Sequence, residues 1–134
     1  MKTNFNEYIK ETVVDRDERD KGYNFTQAFV AFVDDVAYEY PNQSCRKYLI
    51  DVFVKKEKTA TIPLSFTEEI KDGRSSKFNF KPNLLLWKTF EYKGTKLKIE
   101  SIKFVESYNQ PSDYNTYVNY VYEMKISMTY ENNF

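Results

Sequence analysis

Apolar and polar residues alternate along Val118–Tyr130. Val118, Tyr120, Tyr122, Met124, Ile126, Met128 and Tyr130 fill one parity; Asn119, Glu123, Lys125, Ser127 and Thr129 fill the other, with Val121 the exception. A period of two predicts a strand with one buried and one wetted face. At ~3.4 Å per residue it would run roughly 40 Å, where a strand usually has about 5–6 residues. Thr95–Glu106 precedes it, with Leu97 and Ile99 on one parity and Ile102 and Phe104 on the other, and that switch predicts a bulge near Ser101. Lys93-Gly94 predicts a tight turn. Leu84–Tyr92, apolar on both parities at Leu84, Leu85, Leu86 and Trp87, reads as a central strand, and Phe78-Asn79-Phe80 as a short extended piece. Ser107–Thr116, with Pro111 and Tyr114, reads as a polar loop.

Tyr48, Ile50, Val52 and Val54 alternate as well, as do Ala60, Ile62, Leu64 and Phe66. The two runs flank the charged Lys55–Lys58 and predict a hairpin. Pro63 cannot donate to a ladder, which places its strand at an edge or a bulge. Thr67–Lys71 reads as one helical turn. Towards the N-terminus the period becomes helical. Phe5, Tyr8, Ile9, Thr12 and Val13 form one stripe, with Asn4 and Glu7 as a reciprocal cap and Gly22 as a left-handed stop. Phe25, Ala28, Phe29, Phe32, Val33, Val36, Ala37 and Tyr40 form a second, opened by Asn24 and Gln27 and closed by Pro41. These elements predict a single α+β domain over residues 1–134. Two N-terminal helices would pack on one face of a mostly antiparallel sheet of about five strands ending in a long C-terminal β-hairpin.

Composition narrows the chemistry. The chain has no histidine, one cysteine and three glycines. That removes the usual general base near neutral pH, the Ser–His and Cys–His nucleophile pairs and the commonest metal ligand. Neither a zinc site nor a phosphate-cradling glycine loop is expected, so neither metal nor cofactor is predicted. Asp34-Asp35 and Glu68-Glu69 are adjacent pairs whose side chains would not face each other on a helix. The acids at 15, 17, 18 and 20 lack the spacing of a calcium loop and are interrupted by Arg16 and Arg19. Cys45 stands beside Arg46 and Lys47, which would favour a thiolate, but no histidine can assist it. An enzyme is not expected. A lone cysteine and no membrane-length apolar run predict a soluble, cytoplasmic protein.

Lys+Arg and Asp+Glu are equal at 20 each, so no global field recruits nucleic acid. The signs are segregated, however: the first forty and last thirty residues are acidic in balance and the middle basic. Lys93, Lys96, Lys98 and Lys103 form a possible basic binding strip; with Tyr108, Tyr114 and Tyr117 as stacking rings it would suit single-stranded nucleic acid. A lysine-decorated strand edge is the plainer explanation. The long last strand carries Tyr117, Tyr120, Tyr122, Met124, Met128 and Tyr130, residue types enriched at interface centres, and these are the expected oligomer interface.

The order of elements resembles the small α+β ring subunits, tail-terminator and head–tail completion proteins, of tailed bacteriophages. A helical N-terminal part leads into Tyr48–Val54, and the chain ends in a long hairpin of Thr95–Glu106 with Thr116–Tyr130. The resemblance implies a non-enzymatic virion subunit that contacts copies of itself and neighbouring structural proteins, with no membrane. It carries no residue signature. An inhibitor or immunity-type protein acting on one host macromolecule is the alternative, through a strand edge or the Asp34, Asp35 and Glu39 face, and a single-stranded nucleic-acid binder the second.

Overall fold

The computed structural model describes residues 5, 8, 18–70, 78–85, 88–111 and 116–130. Among the described residues two continuous helices, α1 (Glu18–Ala37) and α2 (Gln43–Lys55), precede four strands: β1 (Thr59–Ile70), β2 (Thr89–Tyr92), β3 (Thr95–Pro111) and β4 (Thr116–Thr129). All pairings are antiparallel, in the order β1-β4-β3-β2. The fold is α+β, with four strands among the described residues rather than five.

β4 is the central strand. It pairs with β1 from Thr59↔Ser127 to Ile70↔Thr116, and with β3 from Lys96↔Thr129 to Pro111↔Thr116. Its even parity is buried from Tyr122 to Met128, level with Ile62, Leu64 and Phe66 of β1 and Leu97 and Ile99 of β3. These side chains share one core with Phe25, Phe29, Val33 and Ala37 of α1 and Cys45, Leu49, Val52 and Phe53 of α2. Rings join the elements directly: Phe25 meets Phe53 at 4.8 Å between centroids and Phe29 meets Phe90 at 5.3 Å.

The helices depart from the sequence expectation. Gly22 does not stop a helix; it lies inside α1, where a Cβ would come within 2.8 Å of the Phe53 Cβ. The glycine lets two helices approach closely. Asn24 is likewise a buried interior residue and not a cap. α1 ends at Ala37, where Tyr38 turns left-handed (φ 59°) and its N–H returns to the Asp34 carbonyl at 2.7 Å. Tyr40 therefore leaves the stripe and is exposed. Phe5 and Tyr8 are helical, and the rest of the first predicted helix up to residue 17 lies outside the described residues.

The largest correction concerns Tyr48–Val54, predicted as a strand and found within α2. Cys45, Leu49, Val52 and Phe53 are its buried positions, spaced i, i+4, i+7, i+8 as a helix requires. Tyr48 and Val54, on the supposed strand face, are exposed. α2 closes with Lys56 in the left-handed region (φ 55°): the Lys56 N–H reaches Phe53 O and the Glu57 N–H reaches Val52 O. This is the paired bonding of a Schellman stop. The Tyr130 hydroxyl donates to the Glu57 carbonyl at 2.8 Å, with the Val52 carbonyl at 3.2 Å, and Lys56 Nζ lies 5.0 Å from the Tyr130 ring centre. The last described residue thus clamps the end of α2.

The strands also shift. β1 runs through the predicted helical turn to Ile70, and β3 runs through the predicted loop to Pro111. Phe78–Phe80 joins no strand, and Pro82–Leu84 is a 3₁₀ turn, so among the described residues only Thr89–Tyr92 of the predicted Leu84–Tyr92 strand belongs to the sheet. Leu86, Trp87 and Tyr114 lie outside the described residues. Other expectations hold. Lys93 (φ 47°) and Gly94 (φ 79°) make a two-residue turn with both φ positive, the hairpin geometry that matches strand twist. A bulge falls between Ile99 and Ser101, with a second between Phe104 and Glu106. Pro63 sits on edge strand β1.

Replacing a helical glycine by alanine ordinarily stabilises by about 1 kcal/mol. At Gly22 the new methyl meets the root of the Phe53 side chain, which cannot swing aside, and overpacking costs about 1–3 kcal/mol. Gly22→Ala is expected to lower the urea midpoint, whereas an unchanged or raised midpoint would show that the helices are not so close. Phe29→Ala is expected to cost about 3–5 kcal/mol, and the partly buried Phe32 less, in the same titration.

Candidate protein-contact surface

The residues expected to form an oligomer interface are largely used by the chain itself. Tyr122, Met124 and Met128 are 8%, 0% and 5% exposed, within the core cluster. This corrects the expectation for those three: they share one core with residues of α1 and α2, so the apolar face of β4 closes inside one molecule. Tyr120 is half-buried, stacks on Phe78 at 4.9 Å and donates its hydroxyl to Glu68 at 3.4 Å. Burial, with the Glu68 charge, raises its pKa, and burial raises that of Tyr122. Tyr130 is engaged with α2 as described, and Tyr117 is half-buried between its cross-strand neighbours Glu69 and Gln110.

Among the described residues, the strand left uncovered is β3. β2 is only four residues long and ends opposite Lys98. The Ile99 N–H still finds the Lys88 carbonyl at 3.1 Å. Beyond that point no described segment pairs with the outer edge of β3. Every residue from Lys103 to Gln110 is exposed. Phe104, Val105 and Tyr108 are 52%, 44% and 50% exposed; all three lie on this strand, Phe104 on the core face opposite Tyr122 and Tyr108 on the outer face opposite Asn119.

This edge is held firmly. On the outer face the Thr67 hydroxyl donates to Asn119 Oδ1 at 2.6 Å, and Asn119 Nδ2 donates to Gln110 Oε1 at 3.2 Å. That chain ties β1, β4 and the far end of β3 together. On the core side, Phe66 and Phe80 both contact Tyr122, and Tyr122 contacts Phe104 at 5.4 Å. The row of aromatic rings in the core therefore continues outward and ends, half in water, at Phe104. The backbone phase is also set. Since the Ile99 N–H points away from β4, the alternation of an antiparallel ladder, stepped along the β4 partners, turns the N–H and C=O of Ile102, Phe104, Ser107 and Asn109 to the open side.

The lysine strip is interleaved with acids. Lys96 Nζ lies 3.9 Å from Glu91 Oε2 with both side chains well exposed, a pair worth little in water. Lys103 stands opposite Glu123, Glu100 lies between Lys98 and Lys103, and Lys93 lies in the hairpin turn with its ammonium 5.5 Å from the Tyr92 ring centre. An open concavity of about 630 Å³ on the outer face is lined by Thr59, Thr61, Glu100, Lys125 and Ser127 among others. Ser127 donates to Glu100 there at 2.8 Å.

The other chemical candidates lie apart from this edge. Cys45 is buried, and burial pushes its thiol up to about 12 against the pull of Arg46. Such a thiol is neutral and inert near pH ~7. Asp35 accepts a 2.6 Å hydrogen bond from the Tyr8 hydroxyl. Burial and the neighbouring Asp35 charge raise the pKa of Asp34; burial, then the charges of Asp34 and Glu68, raise that of Glu39 against a backbone hydrogen bond at Tyr40. Among the described residues no three His, Cys, Asp or Glu side chains gather as metal ligands, and no helix is long and apolar enough to cross a membrane.

Phe104, Val105 and Glu106 were not singled out as a surface from sequence. The one available signal was the parity change before Ile102; what exposes the edge is the shortness of β2, which the apolar run at 84–92 conceals. No family model, curated protein or solved structure matches the chain.

The raised carboxylates fix a pH effect. The folded state binds a proton at Glu39 more tightly than the unfolded chain does, so the stability that proton contributes is complete below the ordinary value of 4.5 and is lost as pH rises through the folded value. Glu39→Gln is therefore expected to raise the urea midpoint at about pH 7, with the gain shrinking as pH falls to about 4. An equal gain at both pH values would contradict the cause given.

Proposed function

We propose that this chain is a non-enzymatic subunit that works by protein–protein contact, with the open edge of β3 as its contact surface. One observation carries the reading. β3 continues well past the end of β2, firmly held on its β4 side and, among the described residues, unpaired on the other, with Phe104, Val105 and Tyr108 exposed along it. Pairing at an exposed edge supplies main-chain hydrogen bonds and apolar contact together, the physics of strand addition. The sequence supports the same reading, because without histidine, and with its single thiol buried, the chain lacks the usual nucleophile–base pairs.

The concrete form that the element order suggests is an assembly subunit of a phage virion, in a tail-terminator or head–tail completion ring. The long β3–β4 hairpin supports it, since an extended arm can reach a neighbouring copy. In such a ring the edge of one subunit would meet its neighbour, and repeated rotation would close the assembly.

Light scattering behind size exclusion, over a wide range of concentration, tests the proposal. The expected result is a mass above that of one chain, rising with concentration. A particle that keeps the mass of one chain throughout would defeat the assembly reading, and if it captured a host protein it would favour the inhibitor alternative.

A further inference from the structure

We propose that the occupant of the β3 edge is a second copy of this chain, joined antiparallel about a two-fold axis at Phe104-Val105-Glu106. The inference rests on the protein-contact reading above and deepens it by naming the partner and the contact.

Three observations converge on a self-complementary edge. First, charge. Lys103 and Glu106 stand on either side of the Phe104–Val105 pair. A two-fold axis between Val105 and Glu106 sets Lys103 of one copy on the diagonal to Glu106 of the other, and it does so twice. Opposite charges at such cross-strand positions attract, and like charges there repel. Second, face. Lys103 pairs with Glu123 and Glu106 with Val121, both odd-numbered β4 positions, so the two charges lie on the outer face of the sheet. Phe104 pairs with Tyr122 and lies on the core face. Two copies joined this way keep both pairs of charges on the outer face and both Phe104 rings on the core face. The aromatic row that ends half-exposed in one molecule then continues into the next.

Third, backbone phase. Ile102, Phe104, Ser107 and Asn109 turn their N–H and C=O groups to the open edge, on either side of the Val105 bulge. An antiparallel two-fold can set Phe104 against Ser107 of the second copy and Ile102 against Asn109. Each of these pairs joins groups that both point to the edge, and each joins two core-face side chains. The bulge is what makes phase and face agree, because the extra residue shifts the alternation by one between Phe104 and Ser107. A two-fold contact closes at two copies, so a larger ring would need a second contact elsewhere.

Charge reversal tests the proposal by light scattering and sedimentation. Wild type is expected to form a dimer at high concentration. Lys103→Glu and Glu106→Lys should each weaken it by roughly tenfold or more, since each reversal sets like charges together at both symmetric sites. The double variant Lys103→Glu/Glu106→Lys should restore it to within about threefold. Both side chains are exposed, so all three variants should still unfold in one cooperative urea transition at low concentration, with the midpoint slightly lowered in the two that set Glu at 103 against Glu123, which separates loss of contact from loss of fold. Assembly that persists in both single variants, or that the double variant fails to restore, would overturn this contact while leaving the broader reading intact. A wild type with the mass of one chain at every concentration would overturn both.

Discussion

The fold depends on β4 being hydrogen-bonded along both edges. A strand paired on one side presents unsatisfied backbone groups on the other. β4 avoids this by lying between β1 and β3 for its whole length, so its backbone is satisfied and its apolar parity can be buried. Met124 and Ile126, at the middle of the strand, then define the floor on which Phe29, Leu49 and Phe53 share the core. The hydroxyl of Tyr130 holds the end of α2 to the same strand by two carbonyls. Even the polar network on the outer face is centred on β4, through Asn119.

Making β4 central transfers the edge problem to its neighbours. The β1 edge is partly closed: the Asn42 N–H donates to the Ser65 carbonyl at 2.7 Å, and the Asn42 side chain donates to the Ser65 hydroxyl at 3.1 Å. Pro63 removes one donor from that strand as well. Among the described residues β3 has cover only as far as Lys88. The bulges at Glu100 and Val105 bend the remaining edge and break its regular spacing. The two edges are thus treated differently, one blunted by local polar contacts and a proline, the other left long with apolar side chains on it.

How much of this was legible follows from the same physics. The last strand, the Lys93-Gly94 turn and the bulge near Ser101 could be read because each rests on a local pattern: a period, a dipeptide, a change of parity. Residues 48–54 were misread because two patterns overlap there. Tyr48, Ile50, Val52 and Val54 alternate and have β-prone side chains, while Cys45, Leu49, Val52 and Phe53 carry the helical spacing. Tertiary packing chose the second, since Leu49 and Phe53 face the core and Tyr48 does not. Gly22 shows the same limit. Its sequence context suits a helix stop, and only the proximity of Phe53, thirty-one residues away in the chain, makes it an interior contact. The candidate surface was hidden for a related reason. Phe104 and Val105 look like core residues in sequence, and their exposure is set by where β2 ends.

The charges flanking that surface bear on which contacts it can make. Lys103 and Glu106 are the kind of residue that protects an exposed edge from indiscriminate pairing. In-register parallel stacking would place each Lys103 on another Lys103 and each Glu106 on another Glu106, and both rows would repel. The antiparallel two-fold inverts this, because it sets each Lys103 on the diagonal to the other copy's Glu106 and away from its own like. The bulge at Val105 adds a second filter: a regular partner strand would fall out of phase on one side of it, whereas another copy carries the compensating bulge. The same few residues therefore oppose open-ended growth and favour a closed pair. An edge built only to repel would need neither Phe104 at the end of the aromatic row nor opposite charges placed symmetrically about it.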